Sequence, residues 1–156
     1  MTDDWRHLPA AARPIAAATD AAVAAALAHD SAALAGAAGD LAALDQAQVG
    51  LILGTTVRLM LEDRHPDGLD GDDVRAVLTH CVRESATWAP DVDPHVLLFL
   101  LAGALGVLEE DGEPPPKPDT LARHAALLLA DLRGWRSTRD HLDRALGEIE
   151  RAQLND

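Results

Sequence analysis

The chain has 156 residues, a formal net charge of −13 and one cysteine, a length suited to a single domain that buries its core without disulfides or metal staples. That charge repels phosphate backbones and anionic bilayers, and the arginines form no run or stripe, so nucleic acid and membrane are excluded as partners. A lone cysteine allows no intramolecular disulfide, and the acidic opening Met1-Thr2-Asp3-Asp4 is unlike a secretory signal, so the expected location is cytoplasmic.

Hydrophobic residues make up 48% and charged residues 25%, a globular composition. Twelve arginines against the single Lys117, together with abundant alanine, suggest a GC-rich bacterial source.

Residues 1–9 carry no periodicity and read as a loosely ordered arm, with Trp5 and Leu8 available to dock it on the body. A single helical domain is expected over 10–156. From 10 to 44 more than half of the positions are alanine. Pro14 suits a first helical turn and His29-Asp30-Ser31 marks a stop and restart, which predicts two helices. Their apolar faces carry Ile15, Val23, Leu27, Leu34, Leu41 and Leu44. Alanine buries little area per residue, so this half is expected to be the less stable one.

Core helices are expected over 46–133. Asp45 predicts the N-cap of a third helix over 46–63, with Val49, Ile52, Leu53, Val57 and Met60 at helical spacing. This helix contains Gly50 and Gly54, whose spacing suits tight packing against Ala102 and Gly106 of another helix. Each interior glycine costs about 1 kcal/mol relative to alanine. Close approach of a helix or of a ligand has to offset that cost.

Pro66 ends the third helix. Asp70 then caps a fourth over 71–88, with Val74, Val77, Leu78, Cys81, Val82, Ser85 and Trp88 on one face. Asp93 and Pro94 open the only helix-length stretch without a polar face, about 94–109, which predicts a central helix buried all round. Its apolar run, 96–108, is shorter than the roughly 17 to 25 residues of a bilayer span. A proline-rich loop follows. The sixth helix starts at Asp119 and aligns Leu121, His124, Ala125, Leu128, Leu132 and Trp135. Ser137, with Asp140 three residues on, caps a seventh amphipathic helix over 137–153 whose narrow seam is Leu142, Leu146 and Ile149. No segment alternates with period two, so the fold class is all-α: a single-domain bundle of six or seven helices.

Candidate chemistry is sparse. Asp63-x-His65-x-Asp67-Gly68 starts like a calcium-binding loop, but His65, Asp70 and Val74 stand where the pattern requires an oxygen donor, an apolar residue and a bidentate carboxylate. None of the seven histidines pairs with another at metal-ligand spacing. His124 and His95 are the two placed to line a cavity, with a hydrogen-bonded structural role as the competing reading for each. Cys81 falls on the core face, away from the direction of His80, and reads as packing. Pro115 and Pro118 form a minimal PxxP. Glu62 and Glu84 are the only mid-helix glutamates near apolar segments. No nucleophile elbow, phosphate loop, dinucleotide fingerprint or zinc signature is present, so no metal, cofactor or catalytic residue is assigned.

Two functional readings follow. The first is a non-enzymatic helical interaction protein, homo-oligomeric or bound to a protein partner, pairing through Leu142, Leu146 and Ile149. The alternative is a small-molecule-binding bundle with a cavity beside the apolar helix, near Gly50, Gly54, Gly103, Gly106 and His124.

Overall fold

The computed structural model describes residue 5 and residues 7–108, 112–134 and 137–154. Among these are seven helices and no strand: α1 Ala12–Leu27, α2 Ser31–Ala42, α3 Gln46–Arg64, α4 Gly71–Ser85, α5 Pro94–Ala104, α6 Pro118–Leu132 and α7 Thr138–Leu154. No helix among the described residues is long and apolar enough to cross a membrane.

Local chemistry sets most of the boundaries. Asp30 accepts from the Ala33 N–H, and Asp45 from those of Ala47 and Gln48. Asp70 and Asp73 form a reciprocal capping box on α4. Asp93 accepts from the His95 N–H with Pro94 at the first helical position, and Ser137 Oγ accepts from the Asp140 N–H. Each cap satisfies a donor that the first turn leaves orphaned. α1 ends at His29, which takes the left-handed conformation at φ 56°. The Asp30 and His29 N–H groups bond back to the carbonyls of Ala25 and Ala26, closing a Schellman motif usually reserved for glycine. The His29 ring stacks on Trp88, centroids 5.0 Å apart and planes 6° from parallel.

The bundle is centred on α6, which corrects the expectation of a central helix at 94–109. α6 packs against α1 through α5 and buries Ala122, every residue from His124 to Leu129, and Leu132. α5 buries only Val96, Leu97 and Leu101, and Leu98 is 46% exposed. Apolarity on all sides did not bring burial on all sides. Ala122, Ala125 and Ala126 let neighbouring backbones approach α6, whereas α5, eleven residues long, rests on the outside against α3, α4 and α6. α5 also ends five residues early. Gly106 adopts φ 75°, and the Gly106 and Val107 N–H groups return to the Gly103 and Ala102 carbonyls, again a Schellman motif.

Trp5 and Leu8, from the segment read as an arm, are buried in the core, and the Arg139 guanidinium lies 4.7 Å over the Trp5 ring. Trp135, expected on the α6 face, lies outside the described residues.

Candidate functional site

α3, α5 and the first half of α6 do not close on one another. They leave an apolar groove of about 620 Å³, within the roughly 300 to 1,000 Å³ of small-molecule sites. Its α3 wall is Val49, Gly50, Leu53, Gly54 and Val57, which share one face by helical spacing. Phe99, Leu100, Gly103 and Ala104 come from α5, and Leu121, Ala122 and Ala125 from α6. Pro115, Pro116, Lys117 and Pro118 form the fourth side. Beyond this proline strap lies a second recess of about 960 Å³, where Asp93, His95, Val96 and Thr120 join the strap and Phe99.

Three of the five residues expected to bind a ligand, Gly50, Gly54 and Gly103, meet in the groove. A Cβ added at any of them would find nothing within 4 Å. The glycines therefore do not serve tight helix packing, and the expected contact of Gly50 and Gly54 with Ala102 and Gly106 is not made. Their missing side chains keep the groove open. Gly106 lies apart as the cap residue of α5.

His124 is also outside the groove. It is 1% exposed, donates from Nδ1 to the Thr120 carbonyl at 2.8 Å and accepts at Nε2 from the Asp93 N–H at 2.9 Å. Both ring nitrogens are thus committed to a structural tie between α6 and the start of α5. Burial pushes its pKa below the ordinary histidine value. His95, by contrast, borders the second recess.

Few polar groups reach the groove. The Gln46 amide nitrogen is occupied by the carbonyls of Leu41, Ala42 and Leu44, at 3.0, 3.1 and 2.7 Å. That leaves Lys117, which lines the groove and makes no ion pair among the described residues.

The predicted seam on α7 is taken up within the chain. Leu142 and Leu146 are buried and Ile149 is partly buried against the same core, with α7 packed on α3 and α1. Cys81 is fully buried, and desolvation pushes its thiol up to about 12. His80 pairs at 2.8 Å with Asp131, whose charge also helps raise the Cys81 thiol.

The calcium-like loop is committed to other partners. Asp63 binds Arg144 and His141, Asp70 caps α4, and no group of three or more His, Cys, Asp or Glu side chains gathers to hold a metal among the described residues.

The Asp63 cluster, Phe99 and Lys117 are the features that sequence reasoning missed. For Phe99 a signal existed: it stands four residues before Gly103, hence on the same helical face. No family model matches this chain, and neither the curated proteins nor the solved structures give a match.

Proposed function

We propose that this chain is a cytoplasmic helical bundle that binds a small apolar molecule in the groove between α3, α5, α6 and the proline strap. The observation that carries the reading is the set of three interior glycines, Gly50, Gly54 and Gly103, facing open space. Glycine in a helix interior costs about 1 kcal/mol relative to alanine, and here no contact among the described residues offsets it. A guest that lies against the bare backbone would.

The test is native mass spectrometry of the purified protein, followed by thermal unfolding with and without an aliphatic probe such as decanol. The expected results are a reproducible adduct and a Tm raised by the probe. In Gly54→Leu, whose side chain would occupy the groove, both should vanish while the helical circular dichroism is kept. Absence of an adduct together with a Tm that the probe leaves unchanged would remove the reading.

A second reading, a self-associating interaction protein, draws support from a different surface than the α7 seam. Leu51, Leu98, Val107 and Leu108 are exposed, and all four belong to α3, α5 or the segment just after α5. Exposed apolar side chains that gather into a patch mark interaction sites in many proteins. A native mass at a multiple of the chain, lost in Leu98→Asp, is what that reading expects. A monomer at all concentrations would exclude it.

A further inference from the structure

Building on the ligand-binding reading of the same groove, we infer that its occupant is a free amphiphilic carboxylate. Its aliphatic body lies along Gly50, Gly54 and Gly103, and its acid group sits at Lys117. The charge lining of the groove carries this inference. The chain has 26 acidic residues and a single lysine. Among the described residues no carboxylate lines the groove, and the one lysine does. Its ammonium has no ionic partner among the described residues. Asp93 and Glu113 line the neighbouring recess, and the Asp93 carboxylate accepts from the His95 N–H.

A cationic head group would find no counter-charge in this lining. A neutral one would leave Lys117 without a role, because the Gln46 amide nitrogen is already bound to three carbonyls. An anion complements what is there. Lysine also suits the position mechanically, since its methylene stem can lie along an apolar wall while the ammonium stays at the mouth. The guest is a free molecule and not a lipid within a bilayer, because a net charge of −13 repels anionic membrane surfaces.

The overall field of the protein supplies a sharp control. An amphiphile held by nonspecific attraction to so acidic a chain would favour a positive head group, so a preference for the anion reports on the groove alone. Titration calorimetry at neutral pH would compare decanoate, decanol and decylammonium, each below its micelle-forming concentration. The proteins are wild type, Lys117→Gln, Gly54→Leu, and Arg83→Gln as an exposed α4 cation away from the groove.

Decanoate is expected to bind wild type roughly 1.5-fold to fivefold more tightly than decanol, the range of a solvent-exposed ion pair. That advantage should disappear in Lys117→Gln, persist in Arg83→Gln and shrink with added salt. Gly54→Leu should abolish binding of both probes. Equal affinity for decanoate and decanol, preference for decylammonium, or an advantage that survives in Lys117→Gln would overturn the carboxylate assignment and leave the groove reading intact. Failure of every probe to bind, or binding indifferent to Gly54→Leu, would overturn the groove reading and this inference with it.

Discussion

His141 Nε2 lies 2.9 Å from Oδ2 of Asp63, and this bond fastens α7 to the C-terminal end of α3. The imidazole is 2% exposed and its Nδ1 has no hydrogen-bond partner among the described residues, so Asp63 is the one described group that satisfies it. The same carboxylate accepts from Arg144 Nη1 at 2.8 Å, and that bond, ahead of the one from His141, holds its pKa below the ordinary carboxylate value.

Asp63→Ala should therefore destabilise the fold by about 1 to 3 kcal/mol, the cost of leaving a buried polar group unmet, as read from urea unfolding at neutral pH. Because the folded pKa is depressed, the contribution of Asp63 is fully present above its unfolded value, about 4, and is lost as pH falls through the folded one. The gap between wild type and Asp63→Ala should narrow accordingly in acid. A gap that stays constant from neutral pH to about pH 3 would contradict this assignment.

His124 titrates with the same sign for a different reason. Burial favours its neutral form, and protonation at Nε2 would set two hydrogens against each other at the Asp93 N–H. Its stabilisation is whole above about pH 6.5 and declines as the pH falls below that, toward the depressed folded value. In NMR, the imidazole should titrate with a midpoint below about 6.5, and the Asp93 amide should exchange faster as the pH drops through the same window. A midpoint at or above the ordinary value would show that the ring is not held in this pair of bonds.

The glycines divide into two kinds with opposite responses to alanine. Gly50→Ala and Gly54→Ala place a methyl group in open space within a helix, and each should stabilise the fold by roughly 0.5 to 1 kcal/mol. Gly106→Ala forces a side chain into the left-handed region at φ 75°, and should cost about 1 to 2 kcal/mol. Denaturant midpoints for the three variants give the answer directly. Destabilisation by the α3 substitutions would mean that another backbone comes closer to that face in solution.

Leu142 measures whether the α7 seam belongs to the chain itself. It is fully buried, so Leu142→Ala should lose about 2 to 5 kcal/mol with no change in native mass. A change of oligomeric state at undiminished stability would instead mark the seam as intermolecular.

What the sequence made legible was the chemistry that acts within one turn. The caps at Asp45, Asp70, Asp93 and Ser137 were readable because an oxygen and the N–H it accepts from lie two or three residues apart. The helices that follow them begin where periodicity put them, though α4 and α5 end sooner, at Ser85 and Ala104. The centre of the bundle was not readable in the same way. Apolarity singles out 96–108, but burial is decided by what surrounds a helix, and α6 earns the central place through alanines that register only weakly in a hydrophobic pattern.

The candidate site was half legible. Gly50, Gly54 and Gly103 stood out because a glycine in a helix interior needs a reason. Phe99 and Lys117 did not stand out, since the groove joins α3, α5 and α6 from distant parts of the chain. The Asp63–His141 bond spans 78 positions, and no spacing rule reaches that far.

The proline strap resolves a difficulty that any loop walling an apolar groove has to meet. Ordinary loop backbone presents one peptide N–H per residue, and each one hidden from water without an acceptor costs about 1 to 3 kcal/mol. Proline has none. From 114 to 118 the only peptide N–H is that of Lys117, so this side of the groove shows a guest ring carbons in place of thirsty amides. It also enters the native state with much of its torsional freedom already spent. With a single N–H donor in the five residues, the wall has little to gain from folding inward to fill the space.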